Sequence, residues 1–262
     1  DGLVERVRVK APRRPTFDVI LGNLRLGDAL WCLRELQDAP DDMPTRVICS
    51  SYNRPAVEAV RVLSSLRVDE VLEIPAARIE AQGDYDRWVA SRYQAARPGC
   101  EARVYSWDPA DGLFGNFAPL PGVGVGTGGG LWAHVRREPP PEPAESPALN
   151  AALAQLTRGG LDVHVVGAQG GLLGLPLRPE HLRPVQAPLR ALGERLLREA
   201  GVFVGVASAP AVLAALLGIR TVIVGRWDYR WSTIAPHVTW LQDPTPDAIL
   251  EAILEARQAA AA

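Results

Sequence analysis

"GVFVGVASAPAVLAALLGIRTVIVG", Gly201 to Gly225, carries no charged residue before Arg220. Its length is that of a short membrane-spanning helix, but its internal order is different. "GVFVGVAS" is a β-branched run that ends in small residues. "SAPAVLAALLG" opens on Ser208 as an N-cap, has Pro210 in the first turn and closes on Gly218. "TVIVG" is a second β-branched run. Strand, tight turn, helix and strand make a β-α-β unit, and such a unit buried on both faces reads as continuous apolar sequence without any lipid. The turn at Ala207–Ala209 has two readings. Small residues there allow a helix to pack closely on its sheet, and they also let an anionic group reach backbone N–H groups at the positive end of that helix.

The same grammar runs through the rest of the chain. "FDVILGNL" (17–24) predicts a strand, "RLGD" (25–28) a loop and "ALWCLRELQDA" (29–39) a helix. "TRVICSS", "PAVEAVRVLSSL" and "VDEVLEIP" then read as strand, helix and strand. Further on come a helical pattern in "DYDRWVASRYQAA" (84–96) and a strand in "EARVYSW" (101–107). The glycine-rich "LPGVGVGTGGG" (120–130) lacks the Gly-Lys-Ser/Thr ending of a phosphate loop and reads as a linker. A second series follows. It contains strands at "LWAHVRR" and "LDVHVVGAQGG", helices at "ALNAALAQLTRGG" and "APLRALGERLLREAG", the β-α-β unit, and a capped amphipathic helix at "TPDAILEAILEARQ". The predicted class is α/β: two Rossmann-like domains, residues 1–128 and 129–262, facing across a cleft, with ligands at the carboxyl ends of the strands.

Composition narrows the chemistry. The 262 residues are 47% hydrophobic and 22% charged, with formal net charge −2, so no basic excess points to nucleic acid. Lys10 is the single lysine, and every other basic residue is arginine. Cys32, Cys49 and Cys100 are odd in number and form no C-x-x-C pair, and the four histidines are scattered. That pattern predicts neither a disulfide framework nor a metal centre, and it fits a reducing cytoplasm. The first twenty residues lack the apolar core of a signal peptide.

"LRLGDALWCLREL" paired with "FVGVASAPAVLAALLGIRTVIVG" resembles the bacterial heptosyltransferases, two-domain glycosyltransferases of GT-B fold. The resemblance implies transfer of a sugar from a nucleotide-diphosphate donor to an acceptor hydroxyl, inverting and without metal or other cofactor. The acceptor is not implied. By the same resemblance Asp28 is the general base, whose alternative reading is a helix cap, and Arg25 and Gly27 lie in the acceptor-side loop. Donor contacts would come from Arg136 and Arg137 in "HVRRE", which is also similar to the His-x-Arg-Arg of some fucosyltransferases. They would also come from Gly167 and Gln169 in "GAQGG", from Ser208, Ala209 and Pro210, and from Arg226 and Asp228 after the last strand of the unit. "WDYRW" (227–231) looks like the segment after the donor-site strand of related transferases. The turn departs from the family: Ala207, Ala209 and Val212 stand where Asp, Gly and His are expected. Two other readings therefore stay open, a nucleotide-sugar epimerase and a non-catalytic scaffold on a degenerate GT-B fold.

Overall fold

A computed structural model describes residues 15–21, 24–74, 101–105, 117–124, 126, 128–135, 146–167, 179–225 and 235–261. The chain divides into two compact units, Asp1–Phe114 and Gly115–Ala262.

The first unit is built on a parallel sheet of order β3-β2-β1-β4, from β1 (Phe17–Leu21), β2 (Thr45–Ser50), β3 (Glu70–Ile74) and β4 (Glu101–Tyr105). Every residue of β1 and β2 is buried, as central strands of a parallel sheet require. Helix α1 (Leu26–Cys32), continued by a tighter 3-10 turn over Leu33–Asp38, and α2 (Arg54–Leu63) pack side by side. One charged ladder crosses this apolar sheet. Asp18 of β1, Arg46 of β2 and Glu70 of β3 are in register. Arg46 Nε donates to Asp18 Oδ1 at 3.1 Å and Nη2 to Thr16 Oγ1 at 2.7 Å, and Nη1 lies 3.4 Å from Glu70 Oε2. A one-residue slip would strand a buried charge opposite an apolar side chain, so the ladder ties the strands to one register.

The second unit has a six-stranded parallel sheet of order β10-β9-β8-β5-β6-β7. Its strands are β5 (Gly130–His134), β6 (Val163–Val166), β7 (Leu182–Val185), β8 (Ala200–Val206), β9 (Arg220–Val224) and β10 (Val238–Leu241). Its helices are α3 (Pro147–Arg158), α4 (Leu189–Glu199), α5 (Ala209–Leu216) and α6 (Pro246–Ala261). One face packs Leu131, Ala133, Val163, Val165, Val202 and Val204 against Leu149 and Leu153 of α3 and Ile249 and Ile253 of α6. On the other, fully buried Trp132 stacks on His164 with centroids 4.7 Å apart, and the Arg195 guanidinium of α4 lies 5.0 Å from the Trp132 ring centroid.

The charge-free stretch is β8, α5 and β9. Residues 211–217 are each at most 1% exposed, and α5 is eight residues long. The helix is apolar all round because it is covered all round. No helix among the described residues is long and apolar enough to cross a membrane. Gly218, at φ +74°, ends α5 as the sequence predicts: its N–H donates to Ala215 O, and that of Ile219 donates to Ala214 O.

Three expectations change. Helix α1 starts at Leu26, so three of the four "RLGD" residues are helical. β7 emerges from a Pro- and Leu-rich segment that reads as loop, and β10 from one to which the sequence pattern assigns no element. β7 carries Pro184, which a sheet tolerates at an edge strand, and its four residues give too short a pattern to announce themselves. The glycine-rich run belongs with the second unit, so the division falls after Phe114. Leu120 N–H donates to Leu216 O at 2.8 Å, which fastens the run to the end of α5. A Cβ added at Gly128 would lie 2.1 Å from the Glu199 carbonyl carbon, and one at Gly201 would lie 2.7 Å from Gly128 O. These glycines serve chain-on-chain packing. The predicted helix at 84–96 lies outside the described residues.

Gly201→Ala is expected to lower stability by roughly 1–3 kcal/mol, because backbone must move to admit the methyl. Gly124→Ala, which would meet nothing within 4 Å, is expected to change it little. Urea midpoints of the two variants check this, and equal midpoints would contradict it.

Candidate functional site

Both sheets reverse their strand order at one place, and parallel α/β sheets hold ligands beyond the carboxyl ends of the strands there. In the first unit the chain runs from β1 outward to β3 and returns to add β4 on the other side of β1. In the second it runs from β5 outward to β7 and returns to add β8 beside β5. The loop between β1 and α1 and the turn between β8 and α5 leave these reversals, and each carries part of the predicted site.

After β1, Leu24 is buried, Arg25 is exposed and forms the N-cap of α1, and Gly27 and Asp28 lie in the first turn. Arg25 supplies no side-chain cap. The Asp28 carboxylate reaches back instead and accepts the Arg25 backbone N–H, the half of a capping box made from the third helical position. The capping reading of Asp28 is therefore met from inside the helix. Burial, only partly offset by the Arg25 charge and that N–H, pushes the Asp28 pKa up to about 6 from an ordinary 3.8. Its second oxygen, Oδ2, is buried and accepts no hydrogen bond among the described residues. One oxygen is anchored, the other is unengaged, and the proton affinity is poised near neutrality, which are the attributes of a general base.

After β8, Ser208 is the N-cap of α5 in extended backbone (φ −160°, ψ 163°), as the sequence predicts, but it makes no side-chain cap. Pro210 removes one of the N–H groups that a capping serine ordinarily bonds. Ser208 Oγ is buried with no partner among the described residues. The methyl side chains of Ala207 and Ala209 flank it, and Val212 is 1% exposed within the core. The turn is thus apolar apart from a hydroxyl and the backbone N–H groups at a helix start.

Gly167 follows β6 at φ +128°, with its N–H donating to Val185 O at 3.2 Å. A Cβ there would sit 3.6 Å from the His134 ring. His134 ends β5, the strand at the reversal. In "HVRRE" the arginines stand out from the sequence, and strand alternation alone does not mark the histidine. Trp240 Nε1 donates to Gly225 O at 2.9 Å and fixes the chain where it leaves β9. Arg136, Arg137, Gln169, Arg226, Asp228 and the "WDYRW" segment lie outside the described residues. Among the described residues no group of three His, Cys, Asp or Glu side chains could hold a metal ion.

No protein-family model and no curated protein matches the sequence. Solved structures do match the fold. A glycosyl transferase family 9 protein from Veillonella parvula superposes with TM-score 0.62 at 11% identity, over 96% of this chain and all of that one. The fold is that of the heptosyltransferases. Escherichia coli ADP-heptose LPS heptosyltransferase II gives 0.61 at 15% identity over 94% of this chain and 100% of that chain, and the E. coli heptosyltransferase WaaC with ADP gives 0.54 at 13% over 94% and 99%. At these identities the likeness is one of architecture, and the resemblance carried by the two quoted motifs extends to a heptosyltransferase-like fold across nearly the whole chain.

The raised Asp28 pKa makes the stability of the folded protein depend on pH. A folded-state value above the unfolded one means that ionising Asp28 costs the native state. The cost is absent below about pH 4, grows through the interval to pH 6 and is complete above it. Asp28→Asn, which keeps an acceptor for the Arg25 N–H, is expected to stabilise the protein at pH 7.5 by about 1–3 kcal/mol, with the gain shrinking as pH falls toward 4. Melting midpoints of both proteins across that range check it, and a pH-independent difference would contradict it.

Proposed function

We propose that the protein is a glycosyltransferase that moves a sugar from a nucleotide-diphosphate donor to an acceptor hydroxyl, inverting the anomeric centre without a metal ion. The observation that carries this reading is the poised, half-anchored Asp28 carboxylate at a strand-order reversal, in a chain with the heptosyltransferase fold. The solved relative bound to ADP supports a nucleotide donor here.

In this reading the acceptor O–H attacks the anomeric carbon, Asp28 takes the proton, and the bond from that carbon to the phosphate oxygen breaks as the nucleoside diphosphate leaves. Arg25 and Gly27 shape the acceptor side. On the donor side, the α5 N-terminus with the Ser208 hydroxyl and the Ala209 N–H receives the diphosphate, because a helix start concentrates unsatisfied donors and positive potential. Pro210 sets the first turn, and Gly167 leaves room beside His134. Arg136 and Arg137 neutralise the charge that develops on the leaving group, while Gln169, Arg226 and Asp228 contact the nucleotide or sugar. Val212 serves the core here.

A scaffold on the same fold is favoured by the methyls of Ala207 and Ala209. Asp28 weighs against it, since capping the helix does not require a carboxylate buried deeply enough to destabilise the protein at neutral pH.

Nucleoside diphosphates are expected to raise the melting midpoint as their concentration passes the dissociation constant. Asp28→Asn is expected to leave that shift intact while reducing sugar transfer by roughly 10²–10⁴-fold. The rate of the unaltered protein should climb as pH passes about 6 and level off above it. Transfer that survives Asp28→Asn removes the base from the mechanism. Failure of every nucleoside diphosphate to shift the midpoint removes the donor site and leaves the scaffold.

A further inference from the structure

A row of side chains crosses the second unit's sheet from its centre to its β7 edge. Phe203 of β8, Trp132 of β5, His164 of β6 and Arg183 of β7 are in register, so they stand on one face of the sheet. Phe203 and Trp132 are fully buried, His164 is half-buried and Arg183 is exposed. The row places an ionisable ring at the border between core and solvent. His164 lies flat on Trp132, with planes 8° apart and centroids at 4.7 Å, and the Arg195 guanidinium of α4 lies 5.0 Å from the same indole centroid. One indole thus serves two neighbours.

The surroundings favour the neutral imidazole. His164 Nδ1 and Trp132 Nε1 are buried and make no hydrogen bond among the described residues. A second ring proton on His164 would leave Nδ1 as a buried donor without an acceptor. Among the described residues, the charged groups facing the ring are Glu199 and Arg195 of α4, Asp162 just before β6, and Arg183 of β7. Both carboxylates are already engaged. Glu199 accepts from Arg195 at 3.2 and 2.9 Å, and Asp162 lies 2.8 Å from His181 Nδ1 and 3.3 Å from Arg183 Nη2. Burial, opposed by Glu199 and reinforced by Arg195, holds the His164 pKa below its ordinary 6.5, so the unfolded chain takes the proton first. Stability contributed by the neutral ring is complete above about pH 6.5 and is lost as pH falls below it.

An imidazolium is drawn to an indole face as a guanidinium is. A protonated His164 therefore competes with Arg195 for Trp132 and repels it as well. We propose that His164 is an acid-sensitive latch on α4: the neutral ring leaves Trp132 to the Arg195 clasp, and the protonated ring displaces that clasp and loosens α4 from the sheet. α4 is placed to pass the change on, since Glu199 ends it and Ala200 begins β8, the strand that leads to the Ser208 turn. Backbone packs tightly at this joint, where a Cβ added at Gly130 would lie 2.7 Å from Glu199 O and 3.3 Å from Trp132 Nε1. The latch rests on the second unit alone and requires no transferase activity.

The experiment is hydrogen exchange of the full-length chain, read by mass spectrometry at about pH 7.5 and about pH 5.5. Rates are corrected for the intrinsic pH dependence of amide exchange, and α3 is the reference helix in the same unit. Protection of α4 relative to α3 is expected to fall by roughly tenfold at the lower pH, the factor carried by a lost cation–π contact. His164→Phe keeps a flat ring against Trp132 but cannot take a proton, and it is expected to hold α4 protection at both pH values. An equal fall in His164→Phe, or no fall in the unaltered protein, overturns the proposal. A measurement on the unaltered protein stands in if that variant does not fold. In an NMR titration the Trp132 Nε1–H signal is expected to move with the same midpoint as the His164 ring protons, below 6.5, and a Trp132 signal that does not follow His164 overturns the proposal.

Discussion

The direct pairing of β8 with β5 is the constraint on which the second unit depends. These strands are separated in sequence by two strands and two helices, yet they sit at the centre of the sheet in parallel register from Leu131 with Val202 to His134 with Gly205. The approach is tight enough that a Cβ at Gly205 would lie 2.9 Å from His134 O. At the other end of the pair, Gly128 and Gly201 let the incoming chain lie against Glu199. Glycine at these points permits the reversal of strand order, and the β8–α5 turn leaves the sheet at its carboxyl edge, where a ligand can meet backbone N–H groups.

Given that arrangement, the chemistry of the two units divides in a way their packing explains. The first unit offers a carboxylate whose basicity is raised by burial and whose geometry is fixed by the N-cap N–H it holds. The second offers a helix start with an unengaged hydroxyl and no charge of its own at the turn. In the proposed reaction the first supplies proton removal and the second phosphate recognition. The Asp18–Arg46–Glu70 ladder serves neither; it fixes the register of the strands, including the one that leads into the Asp28 loop.

Much of this was legible in the sequence because α/β units announce themselves. Continuous apolar runs, the Ser-Ala-Pro helix start and the closing glycine located β8, α5 and β9 without ambiguity, and Asp28 stood out through the resemblance of its surroundings. What was not legible depended on contacts between distant segments. "LPGVGVGTGGG" looks the same whether its glycines give freedom or allow close packing, and only the nearness of Glu199 and Gly201 decides between them. Arg46 within a strand carries no sign of the aspartate waiting 28 positions earlier. Edge strands such as β7 are too short for alternation to register. The capping role of Asp28 came from the third helical position, because the helix begins at Leu26, and helix starts are the least certain feature of a periodic pattern.

The most direct measurement is a crystal structure with the nucleoside diphosphate that raises the melting midpoint most. The account predicts phosphate oxygens within about 3 Å of Ser208 Oγ and the Ala209 N–H, at the start of α5. A diphosphate bound elsewhere on the second unit, with the Ser208 hydroxyl and the start of α5 untouched, would contradict it.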